Sequence, residues 1–401
     1  MALKTRDRKL ISINTIIIIR IGQMASFHSK SKWIISLFFL LLTGCASIGP
    51  KQISLDRNRY NDVIQETNLQ QLLKNIVHLR YLEPVAFTKV TNVTSSYNLN
   101  PQVSTNGTFS YTSSFPTART RFYSINPSTS LSYSDTPTIS YVPVENADFI
   151  TSLMQPISLN ELAVLYTGGV GGTEFLRKLT YQSINDIDNA SDASNTYAIK
   201  APRFEKFYHM LALFRKLEHV NGYSVLPIQL KGKYTTLIRF WEPYDQSPEA
   251  KEIKAMLHVS PNAKFIYYTE DFAQIHTKDT VLIRTRSVVG IMSFLAHGVQ
   301  VPIKEELKGY FPVARYPDGR VFDWSILLDS LFHVYYSDLK PDNAFVSIKL
   351  HGHWFYILRN DLQSKASFLL VNRLITLAAG QQNLASQGPA LTIPVAGPSG
   401  R

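Results

Sequence analysis

The chain holds one cysteine in 401 residues. A single thiol closes no internal disulfide, so packing alone must hold the core. Once that thiol is blocked, cysteine nucleophiles and thiolate metal sites are excluded as well. Charge is sparse: Asp, Glu, Lys and Arg make up 18% of the residues, and no block of Lys or Arg occurs. After residue 45 no apolar run reaches the ~20 residues that a transmembrane helix needs. Sequence signatures of catalysis are missing too. There is no Gly-x-Ser-x-Gly elbow, no His-Glu-x-x-His, no Walker loop and no Gly-x-Gly-x-x-Gly after a strand. Gly168-Gly169-Val170-Gly171-Gly172 lacks a following Lys-Ser/Thr and reads as a turn between helices.

What is present begins near the N-terminus. Lys30 and Lys32 precede an apolar run from Trp33 to Leu42, broken only by Ser36, and Thr43-Gly44-Cys45-Ala46-Ser47 follows. A charged start, a short apolar run and small residues make a secretory signal. With the cysteine where cleavage would place it first, the stretch resembles the lipobox of bacterial lipoproteins. The resemblance implies a diacylglycerol on the Cys45 thiol, cleavage before Cys45 and acylation of the new amine. The other reading is a core cysteine behind an uncleaved anchor. Met24 is the expected start, because it gives a compact signal of ordinary length. Inner-membrane retention usually needs an acidic residue directly after the lipidated cysteine. Ala46 and Ser47 are neutral, so the expected location is the outer membrane, facing the periplasm.

The signal also distorts the charge. The whole chain has 41 basic and 30 acidic residues, a net +11. Residues 1–44 carry seven of the basic ones (Lys4, Arg6, Arg8, Lys9, Arg20, Lys30, Lys32) and one acidic, Asp7, which leaves +5 from Cys45 onward. Nucleic acid is therefore not an expected partner.

Five segments follow: 1–44 as signal, 45–90 as lipidated tether and amphipathic helix, 91–145 as a Ser/Thr/Tyr-rich strand segment or linker, 146–222 as a helical region and 223–401 as an α+β region. Gly49 to Leu55 reads as tether. Leu69, Leu72, Leu73, Ile76 and Val77 mark one helix face, and Pro84 ends it. Thr91 to Val142 is dense in Ser, Thr, Asn and Tyr. Short alternating pieces at Gly107–Ser113 and Thr129–Tyr133 suggest strands with Thr and Tyr on one face. They are either a loose linker or strands that order against a neighbouring subunit. Glu174 to Ile184 reads as helix, and Asn185 to Asn195 as a polar loop. Pro202 opens a helix with Phe207, Leu211 and Phe214 on its apolar face. Hairpins follow about Lys231-Gly232-Lys233 and Gly352, with a helix over Gln363–Ala379 and a last strand over Leu391–Val395. The expected fold class is α+β, with interleaved helices and antiparallel hairpins and a polar strand-rich insert.

His351-Gly352-His353 is the strongest candidate for chemistry. Two histidines two apart on a strand share a face and could share a metal, but no third ligand stands nearby in sequence and a hairpin turn at Gly352 would splay them, so the pair reads first as a polar edge on a buried hairpin. Asp338 and Asp342 lie in a turn-forming run around Pro341. Trp354, Phe355 and Tyr356 read as core packing on one face of a strand and contact on the other. No cofactor is expected.

Several stretches resemble a family of uncharacterised proteobacterial outer-membrane lipoproteins: Leu72-Leu73-Lys74-Asn75-Ile76-Val77-His78-Leu79-Arg80-Tyr81, Tyr181-Gln182-Ser183-Ile184-Asn185, Arg286 to Leu295, Gly298 to Pro302, His353 to Ile357 with Ser364 to Phe368, and Leu391 to Val395. They span nearly the whole chain after Cys45, and the Ser/Thr/Tyr-rich middle matches less well. The family carries no known activity or ligand. The chain is also similar to accessory lipoproteins of the type IVB (Dot/Icm) secretion core. These readings lead to an expected non-enzymatic outer-membrane subunit, held to lipid through acylated Cys45 and docking protein partners in the envelope. The alternatives are a lipid-anchored periplasmic hydrolase and a carrier of lipid or a small ligand.

Overall fold

A computed structural model describes residues 48–114, 118–143, 147–169, 172–230, 233–274, 278–380 and 391–394. Cys45, Met24 and the signal expected over 1–44 lie outside the described residues. The chain divides into two compact units, residues 1–66 and 67–401. The described part of the first unit, residues 48–66, is helical and forms the start of α1 (Ile48–Arg80). Gly49 to Leu55, expected as tether, is therefore helix backbone. No described helix is long and apolar enough to cross a membrane.

The second unit is α+β. Its main sheet has six strands: β3 (Tyr181–Ile184), β4 (Ile187–Asp188), β5 (Tyr223–Leu230), β6 (Lys233–Phe240), β7 (Phe265–Thr269) and β8 (Thr280–Thr285), in the order β4-β3-β8-β7-β6-β5. Only the β7–β8 pair is parallel. Around it pack α2 (Ala147–Met154), α3 (Leu159–Thr167), α4 (Thr173–Thr180), α5 (Glu205–His219), α6 (Pro248–Met256) and α7 (Val288–Ala296). Two short helices follow, α8 (Ile303–Leu307) and α9 (Ser325–Leu328). A second sheet has the order β10-β11-β9, from β9 (Tyr335–Ser337), β10 (Ala344–Leu350) and β11 (His353–Leu358). The long helix α10 (Leu362–Gly380) comes next.

Local chemistry explains these elements. On α5, Phe207, Met210, Leu211, Phe214 and Leu217 are buried at three- and four-residue spacing, one helix face. Ser158 caps α3 and Glu161 returns to the Ser158 backbone, a reciprocal capping box. The segment α7 is apolar apart from Ser293 and every residue except Val289 is buried, as a central core helix should be. At its end Gly298 is required, since an added Cβ would sit 2.6 Å from the Phe332 carbonyl oxygen.

Sequence periodicity misplaces one boundary. The helix expected over Glu174–Ile184 stops at Thr180, and Tyr181–Ile184 turns into β3. The cause lies far along the chain. Buried Arg286 sends Nη1 to the carbonyls of Lys178 (2.9 Å), Leu179 (3.0 Å) and Tyr181 (2.6 Å). Asn189, fully buried, donates to the carbonyls of Lys178 and Tyr181 as well. These groups hold the carbonyls that end the helix. The loop expected over Asn185–Asn195 is therefore not a surface loop: it carries β4 and buries Asn189, Ala190 and Ala193.

The third sheet is of another kind. Strands β1 (Thr88–Ser114) and β2 (Ala118–Pro143) form one antiparallel hairpin, and β12 (Leu391–Pro394) joins the outer edge of β2 at Thr138–Tyr141. At about 3.3 Å per residue each strand extends roughly 85 Å over its 27 or 26 residues.

Candidate functional site

The root of the hairpin is where titratable groups gather. Helix α1 ends with Leu82 in the left-handed conformation, φ 59°. The Glu83 N–H returns to the His78 carbonyl at 2.8 Å, and the Leu82 N–H to that of Leu79 at 3.2 Å. This is a Schellman closure, and it folds Glu83 back onto the last turn of the helix. There Glu83 meets His78 Nδ1 at 2.5 Å and His351 Nε2 at 3.0 Å.

The opposing wall is the turn between β10 and β11. His351 has φ 49° and Gly352 φ 86°, the two positive values of a type I′ hairpin turn. This turn splays the two candidate histidines. His351 faces Glu83 and packs 4.8 Å from the Tyr81 ring. His353 opens β11 and places Nδ1 2.7 Å from Asp338, with Nε2 3.9 Å from Glu305 on α8. The Tyr81 hydroxyl donates to Glu305, which closes the cluster. The two histidines do not converge: each turns to its own carboxylates. No group among the described residues has the arrangement to hold a metal ion.

Sequence spacing missed Glu83 and Glu305, which fold from 268 residues before His351 and 48 before His353. The one local signal was the run of His78, Arg80, Tyr81 and Glu83 at a helix end. Electrostatics follow from burial and pairing. Burial pushes the Glu83 carboxyl up, but the bonds to His78 and the charge of His351 outweigh it and hold it below the ordinary range. Burial, followed by the bond to Glu305, raises the Tyr81 phenol, which stays protonated as a donor. Arg80 falls to about 10, chiefly through burial, with Glu306 and Tyr81 opposing. His78, His351, Glu83, Tyr81 and Glu305 are paired donors and acceptors, while Arg80 sends Nη1 to the Pro312 carbonyl and keeps Nε without a partner. The cluster works as a clip between α1, α8 and the β10–β11 turn.

The clip sits immediately before the hairpin. Between Glu83 and Thr88 the chain is tied to α1 by Asn75, which donates to the Ala86 carbonyl at 2.8 Å and accepts from its N–H at 3.2 Å. Phe87 is buried edge-to-face against Phe149 of α2, with ring centroids 5.6 Å apart. The hairpin thus leaves a fixed root.

Along the hairpin the register past the Val90/Asn92 bulge pairs even with even and odd with odd positions. Even rungs run Asn98·Ser134, Asn100·Ser132, Gln102·Ser130, Ser104·Ser128, Asn106·Asn126 and Thr108·Ser124. At one of them the Ser104 and Ser128 hydroxyls are 2.6 Å apart. Odd rungs run Leu99·Tyr133, Pro101·Leu131, Val103·Thr129, Thr105·Pro127, Gly107·Ile125 and Phe109·Tyr123. The expected grouping of Thr with Tyr holds for Thr129 and Tyr133, but Thr108 and Thr112 fall on the face opposite Phe109 and Tyr111. Except for β12 at the root, no described strand pairs with the hairpin.

Two further features bear on the alternatives. Arg177 is buried among aromatic rings, with its guanidinium 4.3 Å from the Phe214 ring and a bond to the Tyr223 hydroxyl, and reads as packing. A pocket lined by Ser152, Glu161, Val288 and Leu374 measures about 50 Å³, far too small for a lipid. No protein-family model matches the chain, and no curated protein and no solved structure matches it.

Proposed function

We propose that this protein is a non-enzymatic, lipid-anchored subunit of the outer membrane, facing the periplasm, which docks into a larger envelope assembly. The observation that carries the reading is the hairpin. Its two strands are far longer than the ordinary 3–10 residues, yet only four residues of β12 pair with them among the described residues. Two-stranded ribbons are marginal alone, and open strand edges invite another chain. The acylated Cys45 would hold the protein to the membrane. The type IVB secretion core is the assembly that the sequence resemblance points to.

The test is deletion of Thr91–Val142 in the lipidated protein. The expected result is a body that resists limited proteolysis as before but no longer co-purifies with envelope partners in mild detergent. A deletion mutant that keeps every partner, or a wild type with none on a sizing column, would reject docking.

A further inference from the structure

We infer that the hairpin is one stave of a transmembrane β-barrel built from several copies of this chain. The inference deepens the docking reading by naming the partner, a second copy, and the surface, a lipid bilayer.

The argument starts from charge. No charged residue occurs between Val90 and Ala118, or between Phe122 and Ser134. Arg119 and Arg121 lie at the tip and Asp135 toward the root. In a chain that is 18% charged, this places an uncharged zone between two charged levels. Within it, polarity alternates with the pleat. Six successive even rungs, from Asn98·Ser134 to Thr108·Ser124, contain only Ser, Thr, Asn and Gln. The odd rungs between them carry Leu99, Pro101, Leu131, Val103, Pro127, Gly107 and Ile125, with Thr105 and Thr129 as their only polar members besides Tyr133. Aromatic residues bracket these rungs at Tyr97 and Tyr133 on the root side, and at Phe109, Tyr123 and Tyr111 on the tip side. Alternating faces between two aromatic levels are the signature of a barrel strand, with one face to lipid and one to the lumen.

The dimensions agree. Leu99 to Phe109 spans ten steps on β1, about 33 Å along the strand at ~3.3 Å per residue. Tilted by roughly 40°, that is about 25 Å of height, the apolar band of such barrels. The edges agree as well. Strand β12 occupies the outer edge of β2 only at Thr138–Tyr141, on the root side of Asp135. Within the band, β1 of one copy can add to β2 of the next, which keeps every neighbour antiparallel. A ring of such contacts closes without a free edge. Closed barrels begin at about eight strands, so about four copies or more are required.

The test uses the full-length lipidated protein, extracted in mild detergent and reconstituted into vesicles of phosphatidylethanolamine and phosphatidylglycerol. Single cysteines are placed at successive positions from Leu99→Cys to Gly107→Cys and labelled with an environment-sensitive dye. The unsubstituted protein reports Cys45 separately: acylated, it takes no label. We expect emission of period two, blue-shifted and quenched by spin-labelled lipid at odd positions and aqueous at even ones. The vesicles should conduct ions. Val103→Arg should cut conducting events about tenfold or more, because charge on the lipid face opposes insertion. Its neighbour Ser104→Arg should keep conduction and shift it toward anions. Uniform aqueous emission, or equal loss from both arginine variants, would overturn the barrel. If the protein still co-purifies with envelope partners in that case, docking stands without the barrel. If Cys45 takes label in the unsubstituted protein, the lipid-anchor reading fails separately.

Discussion

The hairpin and the body beneath it obey different rules of stability. From Ala147 to Gly380 the chain buries a continuous apolar core, with Phe149, Phe207, Phe294, Phe332 and Phe355 each at 1% exposure or less. It even seals in a cation, Arg286, by giving it the carbonyls of four residues and the Ser194 hydroxyl. From Thr88 to Pro143 the chain instead spends its residues on Ser, Thr and Asn in two long strands. The first region makes its polar contacts internally, with atoms of Arg177, Thr236, His297 and His333 left buried without a hydrogen bond. The second leaves ladder edges to be satisfied by something else. The difference teaches that autonomy and assembly are divided along the chain, with the His78–Glu83–His351 clip at the joint.

The largest expected effect breaks the body alone. Arg286→Met would strip a charged donor from the buried carbonyls of Lys178, Leu179, Tyr181 and Asn189, leaving those of Lys178 and Tyr181 to the Asn189 amide. We expect a loss of about 5 kcal/mol by denaturant unfolding, with Arg286→Lys intermediate. Loss of less than about 1 kcal/mol, the scale of a surface residue, would show that the body does not depend on this group.

The next effect is on pH dependence. Burial, aided by the charge of Arg80, lowers His297 from 6.5 to about 3. It stacks on Trp324 with ring centroids 3.8 Å apart. The unfolded chain then binds a proton that the native body refuses. Stability is therefore whole above pH 6.5 and falls as pH drops from 6.5 toward 3. At about 1.4 kcal/mol per unit the loss is on the order of 4–5 kcal/mol. His297→Phe, which keeps the stack, should flatten that part of the curve.

The smallest effect sharpens the comparison at the joint. Glu83 is partly exposed, so Glu83→Gln should cost only ~0.5–1 kcal/mol at neutral pH. Its lowered carboxyl contributes above the ordinary carboxylate range, and that contribution is lost as pH falls through the folded value. The measurement is the melting temperature at several pH values. Protease nicking should increase between Glu83 and Thr88 while the body stays resistant.

How much of this was legible in sequence depended on range. Helix α5 and the pair β10–β11 were plain, because their periodicity and turn residues are local. The end of α4 was not, since Arg286 and Asn189 decide it from elsewhere in the chain. The histidines and the hairpin turn that splays them were legible, since His351 and Gly352 are local turn residues; the groups each one meets were not. Their carboxylates arrive from α1, α8 and the loop after β9. The Ser/Thr-rich middle showed its alternation in fragments. Only the register joins those fragments into two coherent faces.

Backbone hydrogen–deuterium exchange, followed by mass spectrometry, compares the two regions most directly. The lipidated protein would be measured once as a dilute protomer in detergent and once in its native membrane assembly. The account predicts slow exchange in the body in both states. In the hairpin it predicts slowing by at least tenfold on assembly (roughly 1.4 kcal/mol in local opening), concentrated between Leu99 and Tyr133. Equal protection of the hairpin in both states, or slowing confined to the body, would contradict it.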